Sequence, residues 1–243
     1  MVSELLKDVN NLAPSFFFID PYEHPFSLKL MNKIMKLDKT EIMVNFMYYQ
    51  IIRDIENPMK EQRCLKLFDP DDPHNIDLKT GGKFDEDKML GYLHQRIGAK
   101  YYIPFNVYFG PDEKVGSGKL KYLLIHYSNN YKAFDLMLNI MWKYSEDNKP
   151  LMVGNRRPIL FPIKDIADLK TKILSKYGAG DKMTFVRLVE ENWRLYFRET
   201  HFRSVLKELE KDKMIQVKIV TSKTQRGLSG EDIIVFKGKQ QLL

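Results

Sequence analysis

The chain has 243 residues, 44% of them hydrophobic, and a formal net charge of +7, which fits one large globular domain or two small ones. Cys64 is the only cysteine, so no intrachain disulfide can form, and neither a charged leader nor an apolar run of the roughly 20 residues needed to cross a bilayer is expected; the reading is a soluble, cytoplasmic protein. The charge is unevenly spread: residues 1–149 hold about 20 Lys and Arg against 21 Asp and Glu, residues 150–243 about 19 against 11, so affinity for a polyanion is expected in the C-terminal part.

Ser15-Phe-Phe-Phe-Ile19, an apolar run between Pro14 and Pro21, predicts a buried strand. Leu28, Leu30, Met31, Ile34, Met35 and Leu37 follow at helical spacing, and a second apolar run, Glu41-Ile-Met-Val-Asn-Phe46, comes next. Strand, helix, strand is a crossover unit, which predicts a parallel pair. A helix over 47–56 places Tyr48, Ile51, Ile52 and Ile55 on one face. Residues 57–83 are rich in Pro, Asp and Gly and predict a long surface loop around a short helix at 61–68. A helix over 85–97, two strands over 100–109 and 120–127 joined as an antiparallel hairpin, and a helix over 131–144 complete this part.

Residues 145–163, with Pro150, Pro158 and Pro162, read as a connection, giving an α/β domain over 1–149, a linker over 150–163 and a second domain over 164–243. Asp165 is a candidate cap for a helix to Tyr177, Thr184 for one through Phe197, and a third helix spans about 200–211. Strands over 215–221 and 232–236, separated by a polar loop, follow. Three helices and a β-hairpin wing make the order of a winged helix-turn-helix domain, whose third helix reads the major groove while the wing touches phosphate. Thr200, His201, Arg203, Ser204 and Lys207 are the expected groove residues, and Lys218, Lys223, Gln225 and Arg226 the expected wing donors. Duplex DNA is expected before RNA; protein docking is the alternative use of such a module.

Asp20-Pro-Tyr22 closes the first strand at the carboxyl edge of the sheet, where open α/β sheets bind ligands. A turn is the plainer reading of that tripeptide. Read together with Thr40-Glu-Ile-Met-Val-Asn-Phe-Met47, Tyr102-Ile-Pro-Phe105, Tyr122-Leu-Leu-Ile-His-Tyr-Ser-Asn129 and Met137 to Trp142, the chain resembles the three-Cys-motif partner family, TcmP, over nearly its whole length. The resemblance implies the C-terminal half of a class I methyltransferase-like, Rossmann-like sheet with an antiparallel terminal hairpin, followed by the winged helix. It also implies that Asp20, Pro21 and Tyr22 mark a pocket for a target amine.

This chain departs from that family in carrying Glu23 where glycine is common. No sheet strand is followed by a glycine-rich loop, since Gly116-Ser-Gly118 falls in the hairpin and Gly178-Ala-Gly180 between helices. S-adenosylmethionine is therefore expected only if a partner supplies the other half-domain, and the strand at 15–19 is expected to be an apolar edge that a partner protein or a second copy covers. No metal site is expected: His24, His74, His94, His126 and His201 lack ligand spacing, and Asp69, Asp71, Asp72 and Asp77 match no calcium loop. Cys64 is read as a small apolar residue. The expected function is nucleic-acid binding by a methyltransferase-related protein not active alone, with non-enzymatic docking as the alternative.

Overall fold

A computed structural model describes residues 13–20, 28–68, 76–108, 120–146, 166–220 and 228–237, divided between two compact units, Met1–Phe161 and Pro162–Leu243. The first unit is a mixed α/β fold. Its elements are β1 (Ser15–Ile19), α1 (Leu28–Met35), β2 (Thr40–Phe46), α2 (Tyr48–Ile55), α3 (Glu61–Phe68), β3 (Lys79–Thr80), β4 (Lys83–Phe84), α4 (Glu86–Ile97), β5 (Tyr101–Tyr108), β6 (Leu120–Ser128) and α5 (Tyr131–Glu146).

Four strands form one mixed sheet in the order β1-β2-β6-β5. β1 runs parallel to β2, with Phe17 beside Ile42, and β6 is antiparallel to both β2 and β5. The crossover through α1 produces the parallel pair, and the β5–β6 hairpin folds back so that its second strand lies inside. Alternation sends Ile42, Val44, Phe46, Leu123, Ile125 and Tyr127 to one face, where they pack with Met31 and Ile34 of α1 and Met89 and Leu93 of α4. On the other face α5 covers β5 and β6: the Tyr101 ring lies 5.3 Å from that of Phe134, and Leu138, Met141 and Trp142 are buried. Phe16 and Phe18 also point to this second face, at the β1 edge, and are 53% and 59% exposed.

Capping fixes the helix ends. Asp85 caps α4 by accepting from the Lys88 N–H, and Gly98 closes it at φ 70°. A Cβ on Gly98 would meet Asn32 Nδ2 at 3.0 Å, and that amide binds the carbonyls of Arg96 and Ile97, joining α1 to the end of α4. The loop expected over 57–83 instead contains the small hairpin β3–β4, turned at Gly81 and Gly82 with φ 59° and 79°. Cys64 is buried, and burial together with Asp54 and Glu61 pushes its thiol up to about 12, so it is not poised as a thiolate. The expected linker at 150–163 and the Asp165 cap lie outside the described residues.

The second unit runs α6 (Ile166–Lys176), β7 (Lys182–Thr184), α7 (Phe185–Glu191), a 3₁₀ turn (Trp193–Leu195), α8 (Glu199–Lys211), β8 (Ile215–Lys218) and β9 (Ile233–Phe236). Its three strands are antiparallel in the order β7-β9-β8. Thr184 caps α7. The helix does not reach Phe197 as expected, because buried Asn192 donates back to the Leu188 carbonyl and to Tyr177 Oη, both at 2.7 Å, and Tyr196 turns the chain at φ 55°. Leu169, Ile173, Phe185, Leu188, Phe202, Val205, Leu206, Leu209, Ile234 and Phe236 are buried and form this unit's core.

Candidate functional site

The residues of α8 divide by helical period. His201, Phe202, Val205, Leu206 and Leu209 are buried, while Thr200, Ser204, Lys207 and Lys211 recur on the opposite, exposed face. His201, expected among the groove residues, is therefore corrected: it is only 8% exposed, its Nε2 accepts from Arg198 Nη2 at 3.1 Å, and its ring stands edge-on to Phe197. It packs α8 onto the unit.

The carboxylates of α8 are drawn to its flanks. Lys170 of α6 binds Asp212 at 2.9 Å and Glu208 at 3.5 Å, and these carboxylates hold the ammonium above its ordinary value. Glu210 accepts from the Val217 N–H at 3.2 Å. Arg203 lies on another flank, where it pairs with Glu199 at 3.2 Å and stacks 4.4 Å over the Phe185 ring. The outward face is thus left with two hydroxyls and two lysines, bordered by the exposed Glu208.

Lys218 is exposed on β8. Lys223, Gln225 and Arg226 lie outside the described residues. The base of the loop that carries them is closed by Asp232, a residue sequence reasoning did not single out. Its buried carboxylate accepts from the Val220 N–H at 3.0 Å and the Ser229 N–H at 2.7 Å. The carbonyls of Asp232 and Gly230 accept from the first N–H groups of α7, those of Phe185 and Val186, tying the loop base to that helix.

In the first unit, Asp20 follows β1 at the carboxyl edge of the parallel pair. Asn45 Nδ2 donates to its Oδ1 at 2.9 Å from the neighbouring strand. Pro21 and Tyr22 lie outside the described residues. Asn45 was also missed, and the signal that could have found it is register: a polar side chain one residue short of the end of an apolar strand, beside the aspartate. Further along the same face, buried His126 holds Glu41 Oε2 at 2.8 Å through Nε2, beneath the stacked ring of Phe16 at 6.3 Å. Burial holds the His126 imidazole below its ordinary value, opposed in part by Glu41.

The described glycines make no cradle for S-adenosylmethionine. Gly81, Gly82, Gly91 and Gly180 have open space where a Cβ would stand, and none of the described glycines directly follows a strand of the four-stranded sheet. Among the described residues no group of three His, Cys, Asp or Glu could hold a metal ion, and no helix is long and apolar enough to cross a membrane. Comparison with protein-family models, curated proteins and solved structures found no match for this chain.

Proposed function

We propose that this is a TcmP-like, methyltransferase-related protein that binds nucleic acid through its second unit, duplex DNA before RNA. The observation that carries the reading is the outward face of α8, where Thr200, Ser204, Lys207 and Lys211 present donors to an anion while every neighbouring carboxylate is bound elsewhere. A helix with such a face fits the major groove of B-form DNA, whereas the deep, narrow major groove of RNA does not admit it. Support also comes from order: helix, strand, two helices and a β-hairpin, with β7 against β9, is what a winged helix requires.

The relation to methyltransferases draws on the first sheet. A parallel pair followed by an antiparallel hairpin whose last strand sits inside the sheet is the arrangement expected of the carboxyl half of a class I sheet. Asp20, steadied by Asn45, is then the described part of the target pocket that the resemblance implies for Asp20, Pro21 and Tyr22. Methyl transfer by this chain alone is no part of the proposal.

Titration of a fluorescent duplex at two salt concentrations tests the reading. Binding that weakens with salt, and weakens further in Lys207→Ala, supports it. Affinity unchanged in Lys207→Ala, Lys211→Ala and Arg226→Ala alike removes it.

A second reading has its own observation. β1 carries no charged side chain, has β2 as its one strand neighbour among the described residues, and exposes Phe16 and Phe18. Such an edge suits a protein partner or a second copy, with the sheet acting in docking. Sedimentation of the full chain and of Phe18→Lys distinguishes the cases: a self-associating chain becomes smaller in the variant, and a chain that is monomeric in both leaves only a different protein as occupant.

A further inference from the structure

We propose that the cleft at the amino edge of the first unit's sheet binds a phosphate monoester carrying an apolar or planar body, the chemistry shared by a mononucleotide and the 5′-phosphorylated end of a nucleic-acid strand. This site lies at the end of β1 and β2 opposite Asp20, and it does not depend on DNA binding by the second unit.

The cleft has a volume of about 730 Å³, in the range of roughly 300–1,000 Å³ usual for small-ligand sites. It opens between the turn from α1 to β2 and the first turn of α5. Lys36 and Lys39 enter it from that turn, and Lys132 enters from α5. Among the described residues none of the three ammonium groups has an ion-pair partner. Two carboxylates also line the cleft, Asp38 and Glu41, the second hydrogen-bonded to His126, so three cations face two acids.

Position separates these lysines from ordinary solubilising charge. Lys36 stands just beyond the carbonyl end of α1, where a cation complements the helix dipole. Lys132 stands at the opposite kind of end: it is in the first turn of α5, which has no acidic residue there. A cation at a helix N-terminus is unfavourable by itself and becomes favourable once an anion lies between it and the helix. Lys39 holds φ 55°, a conformation in which glycine or asparagine is at ease and a long side chain is not.

The frame behind these groups is fixed. Thr40 Oγ1 lies 2.8 and 2.9 Å from the carbonyls of Ile34 and Leu37, and Asn129 donates to the Met35 carbonyl at 2.7 Å while accepting from the Lys100 N–H at 2.8 Å. The end of α1 is thereby clamped, so the lysines rise from a rigid base. The α5 N–H groups of Lys132 and Ala133 are already taken by Asn130 Oδ1, so the lysines are the donors that meet the phosphate. Leu37 and Leu136 supply an apolar wall, and Leu136 is 64% exposed. An amphipathic anion would cover that leucine as it neutralises the cations.

The test is calorimetric titration of the full chain with adenosine 5′-monophosphate and with adenosine. The expected result is binding of the nucleotide at least tenfold tighter than the nucleoside, and a loss of at least tenfold in the triple variant Lys36→Gln, Lys39→Gln, Lys132→Gln. Asp38→Asn, which removes an opposing charge without touching a lysine, is expected to tighten nucleotide binding severalfold. A 5′-phosphorylated tetranucleotide that binds better than its 5′-hydroxyl form supports the proposal and identifies a strand end as the source. Equal affinity for nucleotide and nucleoside, or a triple variant that folds and binds as the wild type does, would overturn it.

Discussion

Asn45 Nδ2 donates a 2.9 Å hydrogen bond to Asp20 Oδ1, linking the carboxyl ends of the two parallel strands of the first sheet. The bond turns one oxygen of the carboxylate toward the sheet. A donor shared with a charged acceptor in a partly solvated place is expected to contribute about 1 kcal/mol. Trp142 is the first unit's tryptophan and Trp193 the second's, so a Trp193→Phe background reports the first unit alone. In that background, a double-mutant cycle of Asn45→Ala and Asp20→Ala in urea is expected to give a coupling of about 1 kcal/mol. A coupling near zero would mean that the two side chains do not meet in solution.

Two basic residues on one helix are expected to behave oppositely. Arg203 is held by Glu199 and Phe185, whereas Lys207 points outward. Arg203→Ala is expected to destabilise the second unit by about 1 kcal/mol through lost stacking and ion pairing. Lys207→Ala is expected to change stability by less than about 0.5 kcal/mol and to make the slope of log affinity against log salt shallower by about 0.9. Urea unfolding followed through Trp193 and duplex titration at several salt concentrations measure the two effects on the same samples.

Much of this division was legible from period alone. The helical spacing at 28–37 and 131–144 and the apolar runs at 15–19 and 41–46 predict the elements found, because each is long enough for a face to repeat. β7 is three residues long and offers no repeat to detect. His201 was misplaced by its position near the start of α8, although 201, 205 and 209 form an i, i+4, i+8 row whose other members are Val205 and Leu209, plainly a core row. Asn45 acts through a partner 25 residues away and Asp232 through one 12 residues away besides its near neighbour Ser229, and only strand register and loop closure bring the distant partners close.

Asp232 gives the third expectation. Its carboxylate is buried and each oxygen accepts from one backbone N–H, at Val220 and at Ser229, on the two sides of a loop. Asp232→Ala removes both acceptors and leaves two N–H groups to find others, at a cost of about 1–3 kcal/mol. Limited proteolysis is expected to cut the variant within 221–227 faster than the wild type, while cleavage elsewhere in the unit changes less. Equal cleavage rates there would mean that the loop base is held by other contacts.

The last expectation concerns acid. His126 is fully buried beneath Phe16 and its imidazole is held below the ordinary value of 6.5 by burial, with Glu41 pulling the other way. In the unfolded chain the same ring titrates near its ordinary value, so between the two pKa values the unfolded state binds more protons than the folded one. The neutral ring's contribution is therefore fully present above about pH 6.5 and falls as pH drops through that value toward the lower, folded one. The first unit, followed through Trp142 in a Trp193→Phe background, is expected to lose stability over the interval in which pH falls below about 6.5. His126→Gln retains a side chain able to donate to Glu41 but cannot be protonated, so its stability should change less over the same interval. Glu86, which burial raises from 4.5, and Asp77 and Asp85, which hydrogen bonds lower from 3.8, are unchanged in the variant. Their contributions cancel in the difference between the two proteins. If that difference stays flat across the interval, protonation of His126 does not set the acid response of this unit, and the Glu41 pair outweighs burial.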